Sequence, residues 1–423
     1  MVELQFMEPA ILLAPLAWAF GAFLLGVVWW RRYSTHTVHK PPTMDDVRLL
    51  WPAELLPHLD QGFRWMTNRR QLCIATYRFC STEEPVATCV LVHGYRTCAR
   101  FEWLRPPAVG EPHTVLTDSV LGSLLECGCE CYMMDLQGHG QSSGHGGHRA
   151  FFESFDEVVD DVLQLIDNRR LLSNQKRRPL FLLGTSMGGA VVTRAAQRLP
   201  PSSLTGLVAI SPLISMDARA GGILMLPVRM AVRILSALVP AMASGINSSL
   251  APNPFGAALY NHETRTEPTI YQGSVRVRLL SEFANMTSAF GSQRSHAALE
   301  TVRTNSLLCV ASLTDTVVDP ASSVLLYERV VAPNKALLLV KGIGGTRSGS
   351  MRCTVNGRPA EADVTPAGAL SKLRELVGLK LFHNLTREPG GEELTRAIVA
   401  WVQEHACGTA PIEATSGFCG ACE

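Results

Sequence analysis

The chain has 423 residues, and its 38 Lys and Arg against 37 Asp and Glu leave a formal net charge of +1. That balance supplies no basic excess for a nucleic-acid backbone, and the length accommodates one large α/β domain with appendages. Its 12 cysteines would suit a secreted disulfide framework, but a domain of this size buries a core without one, so they read as small apolar side chains.

After a short N-terminus, 1–9, residues 10–30 form an uncharged apolar run. About 20 such residues suffice to cross a bilayer core as a helix. Trp29-Trp30 stand where an aromatic belt belongs and Arg31-Arg32 follow. Positive charge on that flank predicts a single-pass anchor with the rest of the chain in the cytosol. Glu3 and Glu8 before the run, with no Lys or Arg, argue against a cleaved signal peptide. The host membrane is left open. A linker, 31–46, contains Pro41-Pro42 and reads as extended.

The main α/β domain is expected over 47–407. Strand patterns at 72–79 and 87–92 come first, and the second runs into His93-Gly94-Tyr95-Arg96. Cys127, Cys129 and Cys131 alternate and so share one face of a third strand. A metal site from these thiols is the weaker reading, as it is for His139, His145 and His148 in a glycine-rich loop. A helical pattern spans 155–172. Further strands near Leu180, Gly206, Ser306 and Ala336 alternate with helices, which predicts a mostly parallel sheet covered on both faces.

Gly184-Thr185-Ser186-Met187-Gly188 lies between the apolar run 179–183 and the helical pattern 189–198. Strand, sharp turn and helix around G-x-S-x-G make a nucleophile elbow, so Ser186 is the predicted nucleophile and Gly184 and Gly188 its supports. A serine needs a base and an orienting acid, which follow in the order Asp, His. The Met187 N–H is one expected oxyanion donor. The Tyr95 N–H, with His93 and Gly94 shaping its loop, is the other.

Between about 214 and 304 the strand–helix alternation stops, marking an inserted cap. Within it, 223–239 is very apolar, with Arg229, Arg233 and Ser236 at helical spacing on one stripe. It reads as a lid helix touching membrane, or as an ordinary cap helix; mid-helix arginines exclude a second span. Asp315 leaves the strand 306–312 and is the acid candidate, with Asp319 as fallback. After the last strand, 336–340, comes a segment at about 342–378, either a surface excursion or a flap over the site, with a short helix expected at 367–377. His383 is the base candidate, just ahead of a C-terminal helix at 392–404; His405, at the end of that helix, competes. A glycan on the sequon Asn384-Leu385-Thr386 would crowd His383, which also favours a cytosolic domain. The tail, 408–423, ends with Cys419 and Cys422, candidates for palmitoylation beside a membrane.

These motifs resemble the monoacylglycerol lipases of the α/β-hydrolase superfamily, a group close to lysophospholipases. The matching pieces are His93-Gly94, Asp135-Leu136-Gln137-Gly138-His139-Gly140, Gly184-Thr185-Ser186-Met187-Gly188-Gly189 and Ile210-Ser211-Pro212-Leu213. The resemblance covers about 56–402. It implies Ser186, Asp315 and His383 as a catalytic triad, Tyr95 and Met187 as oxyanion donors, a mobile lipid-facing cap and no metal or organic cofactor. Its implied reaction is cleavage of a single-chain lipid ester, monoacylglycerol before lysophospholipid, with other carboxylesters or thioesters as alternatives. A catalytically silent lipid-binding module is the non-enzyme alternative. Three departures stand out: Thr185 where the family has histidine, the bulky Tyr95-Arg96 where it has small residues, and the segment before His383.

Overall fold

A computed structural model describes residues 42–106, 114–169, 171, 178–215, 226–244, 267–291, 296–313, 315, 317–340, 352–355, 358–359, 383–388 and 390–407. Its strands are β1 (Arg64–Thr67), β2 (Cys73–Phe79), β3 (Ala87–Val92), β4 (Cys129–Met134), β5 (Leu180–Thr185), β6 (Gly206–Ile210), β7 (Ser306–Ser312), β8 (Asn334–Val340), β9 (Arg352–Val355) and β10 (Arg358–Pro359). They form one sheet in the order β1-β2-β4-β3-β5-β6-β7-β8-β9-β10. From β4 to β8 every pairing is parallel. Antiparallel pairs close both ends, β1 on β2 and β2 on β4 at one, β8 on β9 and β9 on β10 at the other.

The helices are α1 (Met44–Arg48), α2 (Leu56–Gly62), α3 (Ala99–Trp103), α4 (Val120–Glu126), α5 (Phe155–Asn168), α6 (Met187–Arg198), α7 (Leu226–Leu238), α8 (Val277–Gly291), α9 (His296–Glu300), α10 (Ala321–Arg329) and α11 (Gly391–Cys407). Strands buried on both faces read as continuous apolar runs because each side chain finds a helix-covered layer. On one face Cys89, Leu91, Cys131, Met133 and Phe181 pack against α4 and α11. On the other, Val90, Val92, Met134 and Leu182 pack against α5, α6 and α8. Val158, Val159, Val162, Leu165 and Ile166 put the apolar stripe of α5 onto this second layer at i, i+1, i+4, i+7 and i+8. Each fully buried side chain of this size contributes about 1.5–3 kcal/mol.

Some expectations are corrected. β1 was not foreseen, because its exposed-exposed-buried-exposed pattern carries no alternation to read. Cys127 caps α4 rather than lying on β4, although it packs against the layer holding Cys129 and Cys131. In the cap, Arg229 and Arg233 are exposed as expected, but Ser236 is buried and donates to the Arg233 carbonyl at 2.8 Å. The segment before His383 adds strands: β9 pairs with the open edge of β8 from Ala336↔Val355 to Leu339↔Arg352. The helix expected at 367–377 lies outside the described residues.

Residues 10–30 and the tail from 408 also lie outside the described residues. Among the described residues no helix is long and apolar enough to cross a membrane.

Candidate active site

Parallel strands point their carboxyl ends at one edge, and the chemistry-bearing residues leave the sheet there. Ser186 follows β5 with φ 55° and ψ −118°, a backbone region that costs a residue with a side chain about 1–3 kcal/mol. Three backbone bonds hold the strained turn. Ser186 N donates to Ile210 O at 2.9 Å, Leu213 N to Ser186 O at 3.0 Å and Ala190 N to Ser186 O at 3.3 Å. The turn also needs glycine on each side. A Cβ at Gly184 would sit 2.3 Å from Gly188 O, and one at Gly188 would sit 2.2 Å from Val92 O. Ser186 itself is half-buried, where a reagent can reach it. Met187 opens α6, and the first N–H groups of a helix have no intrahelical acceptor.

Asp315 lies past the end of β7, two strands along the same edge, and is 3% exposed. Its Oδ1 accepts from Val317 N at 2.7 Å and Val318 N at 2.9 Å, while Oδ2 lies 2.7 Å from His383 Nδ1. Burial is the strongest influence on His383 and disfavours its charged form. The charge and hydrogen bond of Asp315, with Glu102 and Glu388, outweigh it and hold the imidazole above its ordinary pKa. Glu388 fixes the backbone here, accepting from His383 N and Asn384 N, both at 2.9 Å. The two competitors sit elsewhere. Asp319 caps the start of α10 by accepting from Ala321 N at 2.9 Å, and His405 lies over Trp401 on α11.

The loop after β3 comes up against the elbow, since a Cβ on Gly94 would lie 3.3 Å from Ser186 Cβ. His93 Nε2 accepts from Leu136 N at 2.9 Å, so its Nδ1 carries the proton and donates to Gly94 O at 2.7 Å. Burial lowers the His93 pKa and keeps that tautomer neutral. Tyr95 is anchored by its ring, edge-on to His139 and to Phe283 of α8, and by its hydroxyl on Ala150 O at 3.2 Å.

Two carboxylates in this region were not singled out from sequence. Asp135 accepts from Tyr77 Oη, Gln141 N and Ala99 N, each at 2.8 Å, tying α3 to the loop after β4. Glu102 is 2% exposed and accepts from Thr97 Oγ1 at 3.0 Å, yet its Oε1 has no hydrogen-bond partner. An acid flanked by Phe101 and Trp103 on a short helix would have been the signal. The suspected metal ligands do not converge. His139 bonds Gln137 O, His145 pairs with Glu153 and His148 lies edge-on to Phe151. Among the described residues no group of three His, Cys, Asp or Glu could hold a metal ion.

Residues 110–344 match the hydrolase family described as serine aminopeptidase, S33, over more than half of the chain. The chain belongs to that family. The matched region includes Ser186 and Asp315 and stops short of His383, which the structure pairs with Asp315. Human monoglyceride lipase is 31% identical over 211 residues, 49% of this chain and 63% of that protein. The phospholipase YtpA of Bacillus subtilis is 28% identical over 138 residues, 32% of this chain and 44% of that protein. The chain thus spans less than two thirds of the length of these curated relatives. A soluble variant of the Saccharomyces cerevisiae monoglyceride lipase, solved with a substrate analogue, superposes with a TM-score of 0.57 at 15% identity, covering 81% of this chain and 94% of its own. The Paleococcus ferrophilus monoacylglycerol lipase gives 0.52 at 20% identity, covering 78% and 99%. These likenesses establish the α/β-hydrolase fold.

Proposed function

We propose that the chain is a serine hydrolase that cleaves the ester of a single-chain lipid, monoacylglycerol first among them, through an acyl-enzyme. The observation that carries this reading is the 2.7 Å His383–Asp315 pair at the sheet edge that bears the strained Ser186. Ser186 Oγ attacks the ester carbonyl as His383 Nε2 takes its proton, and Asp315 holds the Nδ1–H tautomer and steadies the imidazolium. The oxyanion is met by the N–H groups of Tyr95 and Met187. His383 then protonates the departing alcohol and activates water, which releases the fatty acid and restores Ser186.

Monoacylglycerol is favoured by the monoglyceride lipases among the relatives. The phospholipase relative supports a lysophospholipid as the second choice. Residues 10–30 would hold the enzyme at the bilayer with its catalytic domain in the cytosol, and α7 offers a surface for it. Met230 and Ile234 are 53% and 55% exposed there, flanked by Arg229 and Arg233. Apolar side chains with adjacent cations suit an interface.

The test is labelling of the full chain in membranes with a fluorophosphonate, wild type against Ser186→Ala, followed by fatty-acid release from monoacylglycerol and lysophospholipid. Labelling lost in the variant and release from monoacylglycerol are expected. A folded wild type that takes no label would sink the enzyme reading in favour of a silent lipid-binding module.

A further inference from the structure

The loop offering the Tyr95 N–H contains a residue in an uncommon conformation. Arg96 has φ 70°, which glycine adopts freely and other residues adopt only when held. The holder is a strap of the cap, residues 267–274, laid across the loop. Arg96 Nε donates to Tyr271 O at 2.7 Å, and Tyr271 N donates back to Arg96 O at 3.3 Å. The guanidinium also lies 5.8 Å from the Tyr271 ring centroid, and Arg96 is only 7% exposed. The strap is anchored independently. Glu267 forms a buried ion pair with Arg100 of α3, and Thr269 O accepts from Arg149 Nη2 at 3.1 Å.

We infer that this strap sets the oxyanion donor, with Arg96 as the positioning residue that transmits it. Gly94 is packed against Ser186 on one side of Tyr95, and Arg96 is clamped to the cap on the other. The Tyr95 side chain is anchored separately, and the seated strap completes the hold on the direction of the intervening N–H. Oxyanion donors act because they are oriented before charge develops, so a loosened donor costs rate at the chemical step rather than binding. The strap belongs to the cap, so cap position and donor geometry are coupled through Arg96, beside the contact of the Tyr95 ring with Phe283. The inference rests on the reading of Tyr95 as a donor.

The experiment is hydrolysis of a soluble p-nitrophenyl ester by the full chain in detergent, comparing wild type with Arg96→Ala, Arg96→Gly, Arg96→Lys and Glu267→Gln. Arg96→Gly relieves the backbone while removing the clamp, so strain and clamping are separated. Expected is a fall in kcat of about 10- to 100-fold for the Ala and Gly variants with KM nearly constant, below the ~100- to 1000-fold lost with a whole donor. Arg96→Lys, whose ammonium can still reach Tyr271 O, should recover part of it. Glu267→Gln, which alters no loop residue, should lower kcat in the same direction. Full kcat in Arg96→Gly, or Lys no better than Ala at equal melting temperature, would overturn the inference. A wild type that is neither labelled by fluorophosphonate nor active overturns the site reading itself, and this inference with it.

Discussion

At Asp315 two backbone N–H groups occupy Oδ1 and leave Oδ2 to the imidazole. An amide there would keep the shape, but with its oxygen held by the two N–H donors its NH2 would face His383 Nδ1 and donate to it, pushing the imidazole into the wrong tautomer. Asp315→Asn should therefore lower kcat by about 10⁴-fold, the loss seen when a serine-protease triad is altered this way, with folding retained. The pH profile gives a second check. His383 must be neutral to accept the Ser186 proton, and burial, which alone would lower its pKa, is outweighed by Asp315. Activity should thus fall as pH drops through a midpoint above about 6.5, the ordinary histidine value. A midpoint below that would contradict the arrangement. Ser186 and Asp315 stood out as candidates through local signatures, a G-x-S-x-G elbow and a polar residue leaving an apolar strand, and His383 only through its place ahead of the C-terminal helix. Glu102 and the Arg96 clamp did not, because what matters about them is a contact across 175 positions of sequence, or burial that no short window encodes.

Among the elements, the elbow depends on close approach between β5, α6 and the end of β3. A methyl at Gly188 would lie 2.2 Å from Val92 O, an atom of the rigid sheet that cannot move aside. Gly188→Ala should reduce fluorophosphonate labelling to near background and lower the melting temperature, whereas a merely sequence-marking glycine would tolerate the change. The parallel strands were legible because apolar runs alternate with amphipathic helices. β1 lacked such a pattern, and β9 could not be read from a glycine- and arginine-containing stretch. It exists because β8 presents unpaired backbone groups that a returning chain can satisfy. Deleting residues 345–366 should uncover that edge. Expected are a lower melting temperature and concentration-dependent self-association on size exclusion, with ester hydrolysis per folded molecule unchanged. Altered KM or kcat in the folded deletion would instead favour a flap that regulates the site.

Across the whole molecule, Asp161 ties distant parts together at an electrostatic cost. It sits on α5, 3% exposed, where Asn68 Nδ2 donates to Oδ1 at 2.9 Å and Gln137 Nε2 to Oδ2 at 3.1 Å. Asn68 Oδ1 in turn accepts from Arg70 N and Leu72 N in the β1–β2 turn, so α5, that hairpin and the loop after β4 meet at one carboxyl. Burial, with smaller contributions from the charges of Glu157 and Asp160, pushes Asp161 up to about 7 despite the two amide donors. An unfolded aspartate titrates near 3.9, so the folded state binds this proton more tightly. The stability that the proton contributes is complete below about pH 4 and is lost as pH rises through about 7. Asp161→Asn removes that titration and offers an amide whose NH2 can meet Gln137 Oε1, now without a partner, once the glutamine turns over. The variant should melt a few °C higher than wild type at pH 8, with the gap narrowing at pH 5 and closing below about pH 4. A gap of the same size at all three values would mean that Asp161 is ionised in the folded protein and that the network is held by its charge.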